Sequence, residues 1–291
     1  MSVLNSSWQH DFIMSNGIQL HYVTQGEGKL MLMLHGFPEF WYSWRHQIPE
    51  FAKDYKVVAL DLRGYNESDK PQALEAYNIK ELRQDIEGVI TGLGYENCIL
   101  VGHDWGGAIA WNFAYNYPQM VERLIVLNIP HPAKLIEGLR MPQQLLKSWY
   151  IFFFQLPFFP EWSLQANDYQ FIAEALQGMA IDKNTFNQAD IEAYKDAAAK
   201  RGALTAMVNY YRNIFQGLLQ DSRNEIEELE IPTLMIWGEN DAALSKELTY
   251  ETVKYVRNLT IKYISNCSHW VQQEQPQLVN QYMREFLENE S

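Results

Sequence analysis

An aspartate sits in GHDWGG (102 to 107), between a short apolar run and a helical one. A carboxylate at the start of a helix faces unpaired N–H groups and the positive end of the helix dipole, so Asp104 should stay ionised. An ionised carboxylate that projects from a tight turn can attack carbon directly. Gly102 and Gly106 flank it at two-residue spacing, the pattern of a strand, nucleophile, helix turn in which missing Cβ atoms let neighbouring segments close in. The bland alternative is an N-cap. WGENDAAL places Asp241 just beyond a later apolar run, and NCSHW places His269 just beyond the last. Taken singly, these are a turn residue and a core histidine. Taken together, the order nucleophile, acid, histidine is that of a triad on an α/β scaffold. HGFP (35 to 38) follows an early apolar run, where the Phe37 backbone N–H is a candidate to join that of Trp105 in an oxyanion hole. His35 and His103 are expected in the core or supporting the site. No HExxH pattern and no histidine-carboxylate cluster at ligand spacing occurs, so neither a metal nor a cofactor is expected.

The elements that must position these residues alternate along the chain. LMLMLHGFP, KVVALDLRGYNESDKP, CILV, RLIVLNIPHP, IPTLMIWGEND and LTIKYISNCSHW each begin as an apolar run and end in turn residues, the form of buried parallel strands. Between them lie helical patterns. IKELRQDIEGVITGLG (79 to 94) is the clearest, with Leu82, Ile86, Val89, Ile90 and Leu93 on one face and glycine at its end. This predicts an α/β fold with a mostly parallel central sheet flanked by helices. From 131 to 225 the strand signal disappears and the text turns helical and aromatic. The division expected is a core from 1–130 and 226–291 and an inserted helical cap over the carboxyl ends of the strands. The acidic segment NEIEELE (224 to 230) is expected to be a solvated helix returning from that cap.

Bulk properties set limits on partners. A net charge of −13 repels nucleic acid and anionic membranes at long range, so no nucleic-acid and no membrane partner is expected, whereas a small uncharged apolar substrate is not repelled. The first residues carry neither a basic leader nor a secretory apolar run, and no stretch is long enough to span a bilayer, so a cytoplasmic protein, monomeric or homodimeric, is expected. Cys98 and Cys267 lack any paired spacing and are expected as buried thiols.

HGFPEFWYSWRHQ, DLRGYNESDKP, GHDWGG, GEND and SHW occur in an order that resembles the α/β-hydrolase fold enzymes, and within them the soluble epoxide hydrolases. The resemblance covers essentially the whole chain. It implies two cap tyrosines that activate the epoxide oxygen: Tyr150, ahead of the phenylalanine-glutamine pair in YIFFFQ, and Tyr211, in NYYRN. Trp41, Phe154 and Trp270 are candidate walls of an apolar substrate pocket. The chemistry suits these roles independently. Asp104 would open the ring and form an ester, phenols near pKa ~10 would donate to the departing oxygen, and His269 held by Asp241 would activate water.

Two rivals remain at this level. A haloalkane or haloacid dehalogenase would use the same aspartate. Haloalkane dehalogenases hold halide with N–H donors, for which Trp105 fits and Phe37 does not, whereas fluoroacetate dehalogenases need arginines where this chain has Trp105 and Ala108. They also carry a histidine-tryptophan pair in the cap, where this chain has Tyr150 and Ile151. The other rival is a non-catalytic homologue that uses the capped cavity to bind a ligand.

Overall fold

In the computed structural model, which describes residues 8–221 and 227–288, the chain is built on one sheet. Its eight strands run in the order β1-β2-β4-β3-β5-β6-β7-β8. Six are parallel neighbours: β3 (Lys29–Leu34), β4 (Tyr55–Leu60), β5 (Cys98–His103), β6 (Val121–Leu127), β7 (Thr233–Gly238) and β8 (Leu259–Ile264). Their apolar runs are continuous because helices cover both faces, leaving Met31 to Leu34 and Leu124 to Leu127 without solvent contact.

The first two strands, β1 (Gln9–Ser15) and β2 (Ile18–Gln25), add an antiparallel hairpin that the expected alternation does not contain. Asn16 and Gly17 turn it with φ of 47° and 76°, the pair of positive values that a two-residue hairpin turn requires. β2 then pairs antiparallel with β4, leaving β1 as the edge strand on that side.

The helices of the sheet region are α1 (Ile48–Phe51), α2 (Ile79–Gly92), α3 (Asp104–Asn116), α10 (Val271–Glu274) and α11 (Pro276–Glu288). In α2, Leu82, Ile86, Val89 and Ile90 are buried while the Asn78 side chain caps the first turn by accepting from the Glu81 amide. Between β6 and β7 the chain leaves the sheet for α4 (Pro132–Gly138), α5 (Pro142–Lys147), α6 (Trp149–Phe153), α7 (Phe159–Ala173), α8 (Gln188–Ala199) and α9 (Ala203–Asp221). The helix α7 is broken at 166–169, where Asn167, Asp168 and Tyr169 all take left-handed backbone. The inserted helices are tied down by polar contacts. Tyr210 donates to the Arg63 carbonyl, Tyr42 donates to Asp190, and Gln144 donates to the Ala243 carbonyl.

The helix expected at 224–230 does not form over the part of that segment the structure describes. Residues 224–226 lie outside the described residues, and 227–230 are not helical. Leu229 is buried and forms a parallel bridge to Val256, while Glu228 and Glu230 bind Arg257 from either side. Alternating burial of Leu229 and Ile231 favours extended chain there, and Arg257 offsets the charge run. Cys98 and Cys267 are buried free thiols. Among the described residues no helix is long and apolar enough to cross a membrane.

Candidate active site

Strand β5 runs out at His103, and the next residue opens α3 with a left-handed backbone, φ 49° at Asp104. A non-glycine residue in that region is strained, and strain of this kind concentrates where a side chain must be aimed. The turn is tight enough to exclude larger neighbours. A Cβ on Gly106 would lie 2.2 Å from the Leu34 carbonyl oxygen, and one on Gly36 would lie 2.4 Å from the Cβ of Asp104. The backbone beyond β3 therefore touches the aspartate directly. There the Phe37 amide donates to Asp104 Oδ1 at 2.9 Å. Among the described residues, the Trp105 amide makes no hydrogen bond to that carboxylate.

The loops after β7 and β8 bring in the other two residues. His269 Nδ1 lies 2.7 Å from Asp241 Oδ2, and its Nε2 lies 3.6 Å from Asp104 Oδ2. Asp241 is a full acceptor: Oδ1 takes the amides of Ala243 and Leu244 at 2.7 and 2.9 Å, and Oδ2 also takes Asn128 Nδ2 at 2.7 Å. A carboxylate surrounded only by donors stays ionised. Asn128, just past β6, is itself fixed because its Oδ1 accepts from the Gly238 amide. Behind the turn, His103 links the buried Glu39 carboxylate to the His269 carbonyl, at 2.8 Å on each ring nitrogen. Glu39 Oε2 also accepts from the Gly36 amide, so one buried carboxylate holds the Phe37 loop and, through His103, the histidine loop.

These contacts set the protonation states. Burial alone would raise the Asp104 carboxyl, but His269, His103 and the Phe37 amide outweigh it and hold the acid below its ordinary range. Asp241 is lowered in the same way, against burial, by His269, Asn128 and the Leu244 amide. For His269 burial acts downward, yet Asp241 and Asp104 together push it up to about 10. The resting site thus holds an imidazolium between two carboxylates.

Asp104 stands where two lobes of a cavity meet. One lobe, about 380 Å³, is walled by Trp105, Ile129, Leu135, Ile151 and Ile214. The other, about 340 Å³, is walled by Phe37, Trp149, Phe154, Met179, His269 and Trp270. Asp104, Tyr150 and Tyr211 line both. Burial raises both phenols above the ordinary range and the Asp104 charge raises them further; for Tyr211 a hydrogen bond from the Trp105 side chain partly offsets this. Their rings meet edge to face at 5.7 Å.

Three comparisons bear on this arrangement. Residues 29–276 match the family model described as alpha/beta hydrolase fold. The chain belongs to the alpha/beta hydrolase fold family. Its relatives place it in that family's epoxide hydrolase group. It is 46% identical to human epoxide hydrolase 4, over 96% of this chain and 78% of that one. It is 44% identical to the AB hydrolase superfamily protein YfhM of Bacillus subtilis, over 96% of this chain and 98% of that one. A mutant epoxide hydrolase from Bacillus megaterium superposes with a TM-score of 0.90 at 40% identity, covering 96% of this chain and all of that one.

Within this hydrolase, the structure brings together most of the residues singled out from sequence. Asp104, Asp241 and His269 form one chain of contacts, and Tyr150, Tyr211, Phe154 and Trp270 share their cavity. Trp41 does not. It is 1% exposed and packs against Trp8, His10 and Phe40, with its amide donating to Asp61, and it lines neither lobe of the cavity. Asn128 and Glu39 were not anticipated. The only sequence signal for Asn128 is its place just past a strand end, beside the strand that carries Asp241.

Proposed function

We propose that the protein is an epoxide hydrolase that opens a small uncharged epoxide to a vicinal diol through an ester on Asp104. The observation that carries this reading is that two phenols, Tyr150 and Tyr211, share the cavity with an ionised, tightly aimed carboxylate. A strained C–O bond needs both: a nucleophile at carbon and an acid at oxygen. Relatives named as epoxide hydrolases support it, as does a solved mutant of the Bacillus megaterium enzyme in complex with its product, a naphthyloxy-propane-diol, at a TM-score of 0.88. No cofactor or metal enters the scheme.

An Asp104 oxygen forms a bond to one ring carbon, the ring C–O bond breaks, and a tyrosine protonates the departing alkoxide. The His269 imidazolium replaces that proton. Ester formation has meanwhile removed the Asp104 charge, one of the groups that keeps His269 protonated, so the imidazole is neutral when a base is needed. Held by Asp241, it takes a proton from water as the water attacks the ester carbonyl. The oxyanion develops beside the Phe37 amide, with the Trp105 amide as second donor. Collapse releases the diol, which takes one of the water's protons; the other stays on His269 and restores the resting pair.

The walls named above are apolar apart from His269, and the positions directly after Asp104 and one turn later are Trp105 and Ala108, so no guanidinium stands at either position to pair with an anionic haloacid. A cytoplasmic setting belongs to the same proposal, since two buried free thiols suit a reducing compartment. Turnover of aryl and aliphatic epoxides beside haloalkanes and fluoroacetate tests the reading. Diol formation is expected; halide release without diol would overturn it.

A further inference from the structure

The inserted helices carry an apolar surface that the reaction does not use. Leu146, Trp149, Phe158, Phe159 and Trp162 are 77%, 56%, 86%, 51% and 64% exposed. Trp149, Phe159 and Trp162 are joined through Phe153, and Leu146 and Phe158 lie three residues and one residue away from Trp149 and Phe159 in sequence. Ring contacts run from Trp149 to Phe153 at 5.9 Å, on to Phe159 at 5.9 Å, and on to Trp162 at 5.5 Å. Large contiguous apolar patches on a protein surface mark a contact with something apolar. Phe158, the most exposed ring, sits between Pro157 and Phe159-Pro160 with φ 61°. A bulky residue held outward in left-handed backbone is strained, and packing of the ring within this chain does not explain it.

Charge and position say what covers the patch. From 141 to 160 the chain has no aspartate or glutamate and a single lysine, within a protein of net charge −13. Of the acids that follow, Glu161 is paired with Arg212 at 2.7 Å and Asp168 with Lys195 at 2.9 Å, whereas Glu174, in the wall of the second lobe, accepts from Gln170. Trp149 belongs both to the patch and to the wall of the lobe that holds His269. The patch therefore borders the wall of that lobe. A second copy seated there would cover that wall, whereas a lipid surface would lay against it the phase in which an apolar epoxide dissolves.

We propose that this face docks the enzyme on a lipid surface of net-neutral headgroups and admits substrate from it. The expectation of no membrane partner rested on bulk charge; the local neutrality of this face narrows that exclusion to anionic surfaces. The delivery role rests on the epoxide hydrolase reading, but docking does not, so it is measured without substrate.

The test is flotation of the full chain with phosphatidylcholine vesicles, with tryptophan quenching by brominated phosphatidylcholine. Binding and quenching are expected. Phe158→Asn, which keeps a residue tolerant of left-handed backbone, combined with Leu146→Gln should weaken binding by about tenfold or more. Turnover of a water-soluble epoxide and the melting temperature should not change, since neither residue lines the cavity. Vesicles with anionic headgroups should bind more weakly at low salt and recover as salt is raised. Three results would overturn the proposal: no flotation of the unmodified chain, tighter binding to anionic than to neutral vesicles, or a dimer that these substitutions dissolve while vesicles are ignored.

Discussion

His269 Nε2 lies 3.6 Å from Asp104 Oδ2, beyond hydrogen-bond length but within reach of strong charge interaction. With Asp241 on its other nitrogen, the ring is held as an imidazolium until one of the two charges goes. Asp104→Asn imitates the ester by removing that charge. In this variant the downfield NMR signal of the His269 Nδ1 proton should titrate at a lower pH than in the unmodified chain. An unchanged titration would mean that Asp104 does not govern the base.

The same shifts give stability a pH dependence of known sign. The folded His269 is pushed up to about 10 from its ordinary 6.5, so its contribution is complete below 6.5 and is lost as pH rises through about 10. Asp104 and Asp241 are held down, so theirs is present above the ordinary carboxylate range and is lost as pH falls through their lower folded values. Thermal melts should therefore be highest between these limits. In Asp104→Asn the alkaline loss should begin at lower pH.

Asp241→Asn should separate the two half-reactions. The four groups around this carboxylate are all donors, so an amide nitrogen there faces at least one of them, at a cost of about 1–3 kcal/mol of stability. Ring opening needs only Asp104 and the tyrosines. Water activation should fall by about 10³–10⁴-fold, leaving an adduct on the protein that mass spectrometry detects after a quench.

Tyr150→Phe and Tyr211→Phe together should slow ring opening by about a thousandfold. Among the described residues the Tyr150 hydroxyl has no hydrogen-bond partner and the Tyr211 hydroxyl loses only the Trp105 contact, so the melt should move by about 0.5–1.5 kcal/mol. A large loss of rate in the second half-reaction alone would assign the phenols a different task.

Gly36→Ala tests the aim of the carboxylate. The added Cβ would meet Asp104 at 2.4 Å, so the side chain must move, and kcat should drop by about a hundredfold. The drop should appear in ester formation, read by single-turnover kinetics.

The parts of this site that were legible in sequence share one physical cause. Parallel strands covered on both faces need continuous apolar runs, and polar residues in the turns after such runs are placed at the carboxyl ends of the strands; Asp104, Asp241 and His269 all follow that pattern. The β1–β2 hairpin was written as clearly in Asn16-Gly17, but β1 is mostly exposed and lacks a buried run to announce it. Asn128 was invisible because its role depends on the register of β6 against β7. Trp41 misled because aromatic residues after HGFP give no direction: the short turn at Trp41–Trp44 rotates it toward Trp8 and away from the cavity. In the inserted helices no periodicity signals the break at 166–169, where three consecutive residues adopt left-handed backbone.

The central claim is the ester on Asp104, and single turnover in heavy-oxygen water tests it most directly. With enzyme in excess over epoxide, the label should enter the Asp104 carboxylate while the first diol carries none. Label in that first diol, with Asp104 unlabelled, would mean that water attacks the ring itself and would contradict the account.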